Sequence, residues 1–138
     1  MRDVPIVPIH KVATGRQFSE LRQASLQLAV RIVAWSLAAT IVVLSLVPSK
    51  LRPETGVPHI FEHCLIFVAT GAAFGLGYEA RRGALAIQLV IFAGVVEIAQ
   101  VFVPGRHARP SDFLVDAVVI CTGFVAGSLA KQVRTDWF

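Results

Sequence analysis

Residues 97–116, EIAQVFVPGRHARPSDFLVD, join two long apolar segments through a short, densely charged turn. Glu97, Arg106, Arg109, Asp112 and Asp116 all fall within these twenty positions, and Glu62 lies at a similar boundary earlier in the chain. If the flanking segments lie in lipid, each carboxylate is expensive there, about 2.5–3.5 kcal/mol at a helix centre. A charge held at such a place has a partner or a task, so this stretch decides both the fold and where function is sought.

Composition supports the lipid reading. The chain has 138 residues, the length of one domain, with 55% apolar and only 16% charged residues, against about 25% charged in a typical soluble domain. Its mean hydropathy is +0.67. A net charge of +4 and a pI near 9.7 raise nucleic acid as a partner. The Lys and Arg residues, however, sit in connectors between apolar runs, where headgroups and topology account for them, and no nucleic-acid motif or basic helix face is present. Cys64 and Cys121 fall inside apolar runs without a Cys-x-x-Cys pair and read as small buried apolar residues. The chain carries no cofactor signature.

The spacing predicts an all-α polytopic membrane protein, a bundle of four transmembrane helices. Residues 1–27 form a polar tail in which Phe18, Leu21, Ser25 and Leu28 have helical spacing, readable as an interfacial helix or as an extension of the first span. Residues 28–130 form the membrane domain and 131–138 a second tail. Leu28 to Val47 is the first span, its Arg31 one turn in and able to snorkel to the headgroups. The long polar leader and the lack of a small-x-small cleavage site favour a retained span over a signal peptide. Ile60 to Tyr78 is the second span, with Glu62 and His63 in its first turn and a close-packing Gly71-x-x-x-Gly75. A turn holding Arg81 and Arg82 leads to the third, Ala84 to Val103, where Glu97 and Gln100 share a face and Pro104-Gly105 stops the helix. Phe113 to Ala130 is the fourth. Asp112 is its expected N-cap, and Gly123 and Gly127 each fall within about 20° of Asp116 at 100° per residue, which turns that face toward other helices.

Nine of the thirteen Lys and Arg lie in the N-terminal tail with Arg31, the Arg81–Arg82 turn and the C-terminus; four lie in the other two connectors. The positive-inside rule therefore puts both termini in the cytoplasm. Glu62, His63, Glu97, Gln100, Arg106, His107, Arg109, Ser111, Asp112 and Asp116 then meet at one outward-facing mouth.

Several tasks suit that set. The acids and arginines could do no more than neutralise one another, with Arg106 or Arg109 bridging Glu97 and Asp116. Arginine forks and the start of the last helix could hold an anionic group such as a lipid-linked phosphate or a cell-wall peptide carboxylate. Glu97 or Asp116 could serve as acid or base in an intramembrane enzyme, with His63 shuttling protons. A metal site from His63, Glu97, His107 and Asp112 has no known ligand spacing. Ser111 reads as a helix-start residue before a nucleophile. A transporter would need a continuous polar path, which the first three spans lack toward the cytoplasm.

Three pieces of the chain resemble the VanZ-like family of small bacterial membrane proteins: Glu62-His63 opening a span, Glu97-Ile98-Ala99-Gln100 closing the next, and Pro104-Gly105-Arg106 through Arg109, Ser111 and Asp112 opening the last. The likeness covers roughly Val47 to Gly127. The chain departs from the family pattern at His59-Ile60, where Asp-Lys is common, at Asp116, where Asn is common, and at Val119, where glycine is common. The resemblance implies a multi-pass protein of the bacterial inner membrane and cell envelope, and a link to antibiotic resistance through susceptibility to the glycopeptide teicoplanin. Membrane lipids and an anionic cell-wall or lipid-linked group are the expected partners.

The orientation is testable. With Cys64 and Cys121 replaced by serine, His107→Cys should react with an impermeant thiol reagent added outside intact cells and Arg81→Cys should not; the opposite pattern inverts the topology.

Overall fold

The computed structural model describes residues 15–48, 59–104 and 109–136. It holds four helices: α1 (Gly15–Leu46), α2 (His59–Gly77), α3 (Arg82–Gln100) and α4 (Pro110–Asp136). No strand occurs among the described residues. Residues 17–46, 82–100 and 110–133 are each long and apolar enough to cross a membrane; α2 carries a shorter apolar run, residues 61–77. Apolar side chains cover the outside of the bundle as well as its core, as in a membrane protein, and several polar side chains are held inside. Leu28, Ile32, Leu65, Ile91, Val118 and Leu129 are exposed, while Ser45, Thr70, Glu97, Gln100, Asp116 and Ser128 are buried.

The helix ends differ from the sequence expectation for local reasons. Residues 16–46 contain neither Gly nor Pro, so nothing breaks α1 at the membrane edge. The segment around Phe18 is therefore an extension of the first span, and α1 runs for about 48 Å at 1.5 Å per residue. Helix α3 ends at Gln100 rather than Val103. Val101, Phe102 and Val103 donate N–H bonds to the carbonyls of Ile98, Ala99 and Gln100, a tightened last turn forced by Pro104, which disfavours α geometry in the residue before it. Helix α4 begins at Pro110, and Asp112 is not its N-cap. Proline suits the first helical position, and Arg109 occupies the cap, its carbonyl accepting the N–H groups of Asp112 and Phe113 at 2.9 and 3.3 Å. The same helix continues through Lys131 to Asp136, where a tail was expected. The remaining connector residues 49–58 and the ends of the chain lie outside the described residues.

Helix α2 packs on α1 and most extensively on α4, and α3 closes the ring against α4 and α1. The parallel α2·α4 pair is built on reciprocal glycines. A Cβ on Gly71 would overlap the Ile120 carbonyl oxygen and one on Gly75 that of Phe124. Across the seam, a Cβ on Gly123 would overlap the Val68 carbonyl and one on Gly127 that of Ala72. Glycine Cα–H groups thus face carbonyl oxygens, a recurrent weak contact where helix backbones touch. Around this seam Ala34, Ala38 and Ile41 of α1, Phe67 and Phe74 of α2, Leu89, Ala93 and Val96 of α3, and Ile120 and Phe124 of α4 form the core.

At the end holding α1's start, Arg31 does not reach for headgroups. Its Nε–H donates to the Gly77 carbonyl at 2.9 Å and its guanidinium lies 4.7 Å from the Tyr78 ring centre. The arginine thus caps the C-terminus of α2, where a cation complements the helix dipole. Trp35 Nε1–H donates to the Tyr78 hydroxyl at 3.0 Å. Lys131 and Glu79 pair at 2.9 Å, and the hydrogen bond and charge of Lys131 hold the Glu79 carboxyl below its usual range. Arg81, the cap of α3, has a φ of 56°.

The seam predicts a contrast between glycines. Gly71→Ala should lower stability in detergent by about 1–3 kcal/mol, the usual cost of overpacking. Gly83→Ala, with no atom within 4 Å of the added Cβ, should leave it unchanged or slightly raised; chemical or thermal unfolding of both variants checks this.

Candidate functional site at the α2, α3 and α4 mouth

The glycine register carries the polar mouth with it. Positions 71 and 75 lie against residues 120–128; two turns back along each helix, the same stripe brings His63 to Asp116. His63 Nε2–H donates to Asp116 Oδ2 at 3.2 Å, with the Asp116 side chain 2% exposed and the imidazole half-buried. The His63 ring also lies 4.9 Å from Phe67, one turn on in α2. A buried acid thereby fixes one ring nitrogen of the imidazole.

Glu97, 6% exposed, reaches across from the last turn of α3. Its Oε1 accepts the backbone N–H of Arg109 at 2.6 Å, a charge-assisted bond of the stronger kind. This ties the end of α3 to the start of α4, with Phe113 packed near Gly94 one turn further in. Asp112, Asp116 and His63 all lie within electrostatic range of the Glu97 carboxylate. Gln100 is buried beside it at the close of α3. Ser111 Oγ–H donates to Asp112 Oδ1 at 3.0 Å, and both residues are exposed on the first turn of α4. Glu62 is exposed in the first turn of α2, where an acid suits the helix dipole.

Of the guanidinium bridge considered from sequence, the Arg109 form is not made among the described residues. Asp116 takes an imidazole, and Glu97 takes a main-chain donor. The Arg109 side chain is exposed and enters no ion pair among the described residues. Arg106 and His107 lie outside the described residues. Among those described, no three His, Cys, Asp or Glu residues are grouped to hold a metal ion. Cys64 and Cys121 are free thiols and half-buried, less enclosed than their apolar neighbours suggested.

Comparison with known protein families, curated proteins and solved structures finds no match.

The sequence reading missed the polar set at the other end of the bundle, Arg31, Trp35, Tyr78, Glu79 and Lys131. One signal was available: Trp35 follows Arg31 by four residues, which puts an aromatic and a cation on one helix face.

A double-mutant cycle tests the central pair. Asp116→Ala and His63→Ala should couple by about 0.5–3 kcal/mol in unfolding free energy, as contacting buried groups do; additive effects would mean that the two side chains do not interact.

Proposed function

We propose that this chain is a VanZ-like, four-span protein of a bacterial inner membrane, with both termini cytoplasmic, whose outward polar mouth binds an anionic group of a cell-wall precursor or a lipid-linked phosphate. The observation that carries this reading is the division of labour at Arg109. Its backbone N–H is held by the buried Glu97 carboxylate at 2.6 Å, while its side chain stays exposed and enters no ion pair among the described residues. Anchoring the backbone lowers the entropic cost of presenting the planar guanidinium fork, which suits phosphate or carboxylate oxygens. The start of α4 adds the partial positive charge of a helix N-terminus beside it.

The neighbouring acids narrow the ligand. Asp112 and Glu62 are exposed in the first turns of α4 and α2 and disfavour a bare, highly charged anion. They favour a group whose anionic oxygen meets Arg109 while its own hydroxyl or amide donors meet the carboxylates. A sugar-bearing lipid phosphate and a cell-wall peptide carboxylate both have that mixed character. An effect on teicoplanin susceptibility belongs to the same proposal, since a glycopeptide competes for cell-wall peptide termini.

The His63–Asp116 pair supports a second reading from another class. An imidazole oriented by a buried acid is the usual arrangement of a general base, so the mouth is also suited to acid–base chemistry on a lipid-linked phosphate ester.

Binding of a polyprenyl phosphate to the protein in nanodiscs separates the two. Arg109→Gln should weaken binding by roughly 10- to 150-fold, corresponding to about 1.5–3 kcal/mol for a charge-assisted hydrogen bond, with protein level unchanged. His63→Gln should leave binding within about threefold if the task is recognition. Product released by the wild type and lost in His63→Gln would replace binding with catalysis, and equal affinity in Arg109→Gln would remove the anion site.

A further inference from the structure

At the opposite end of the bundle, a cleft of about 980 Å³ lies between the extension of α1 and the closing turns of α2 and α4. Its wall has two characters. Phe18, Leu26, Val30 and Leu76 supply an apolar side, while Arg22, Lys131 and Glu79 bring charge to it. Phe18 and Leu26 are exposed there, on a part of α1 that continues past the end of α2 without a helix to cover it. The volume matches the upper range of small-molecule pockets.

The charge balance around the cleft is positive. Among the residues that line it, Arg22 and Lys131 stand against one acid, Glu79, and Arg31 and Arg82 add positive charge within electrostatic range of that acid. Lys131 pairs with Glu79 at 2.9 Å, and its buried ammonium nitrogen is otherwise unsatisfied among the described residues. The Arg22 guanidinium enters no ion pair among the described residues. A second copy of the chain would bring the same cations to the contact, and charge complementarity is against it.

We propose that this cleft is a binding site for one anionic phospholipid, its phosphate held between Arg22 and Lys131 and an acyl chain laid along Phe18, Leu26, Val30 and Leu76. A diacyl lipid meets both requirements at once: a fixed negative charge for the cations and a hydrocarbon chain for the wall. Cations at a membrane surface each contribute modestly to anionic-lipid attraction, and a pocket that gathers them converts that attraction into occupancy of one site. The site stands apart from the Glu97 mouth and does not rest on the function proposed for it.

Native mass spectrometry of the full chain tests this, with phosphatidylglycerol and phosphatidylcholine of identical acyl chains supplied in mixed micelles. The wild type should retain one phosphatidylglycerol in preference to phosphatidylcholine. Arg22→Gln should lower that retention about fivefold, the effect of one cation near the headgroups, with its thermal midpoint unchanged. Arg81→Gln, a cation at the same end that does not line the cleft, should retain the lipid as the wild type does. Leu26→Asn should weaken binding of both lipids through the acyl wall. Equal retention of the two lipids, an equal loss in Arg81→Gln, displacement by soluble glycerol 3-phosphate, or a dimer in place of the lipid adduct would each overturn the proposal.

Discussion

The close approach of α2 and α4 is the constraint on which the remaining arrangement depends. In a membrane, helices gain little by leaving lipid for one another, so their pairing rests on fit. Four glycines, two on each helix, bring main chain against main chain, with the carbonyls of Val68, Ala72, Ile120 and Phe124 occupying the space that side chains would need. Such contacts admit one register. Sliding either helix by a residue would turn glycine away from the seam and bring a neighbour with a side chain, such as Thr70, Phe74, Leu76, Thr122 or Phe124, toward it. The register then fixes the separation of every other pair along the stripe, including His63 and Asp116 at 3.2 Å.

Both ends of the bundle answer the same demand, that polar groups near lipid find partners. At the mouth, the buried Asp116 takes an imidazole and the buried Glu97 takes a peptide N–H. At the other end, the α2 carbonyl at Gly77 takes the Arg31 Nε–H, and the arginine is covered by Tyr78, itself held by Trp35. The two ends differ in what they leave over. Arg109 is anchored through its backbone with its charge outward. Arg31 is committed through its side chain. A cation in a membrane protein is therefore informative only once its partner is known.

Much of the fold was legible from hydropathy and spacing because lipid imposes long apolar runs and glycine on a helix face marks close packing. The Gly71-x-x-x-Gly75 motif and the Asp116, Gly123, Gly127 face were both visible as packing surfaces. That they pack on each other was not, since glycine spacing reports a close approach without naming the helix approached. The start of α1 was ambiguous for a similar reason: Phe18, Leu21 and Leu28 have the same period in an interfacial helix as in an extension. The absence of a breaker at residues 16–46 was the deciding feature. The start of α4 was readable from the preference of proline for a first helical position, yet the capping preference of Asp112 pointed three residues later. At the mouth, the residue types were visible, whereas the partner of Glu97 was a backbone N–H, to which side-chain chemistry gives no clue.

The dependence of the mouth on the seam can be measured at one nucleus pair. In lipid bilayers, the ¹⁵N resonances of the His63 ring report its hydrogen bond to Asp116. If the glycine contacts set the register, Gly71→Ala, two turns away, should shift those resonances toward the values found in Asp116→Asn. Resonances in Gly71→Ala that match the wild type would show that the His63–Asp116 pair forms without the close approach of α2 and α4, and would contradict the account.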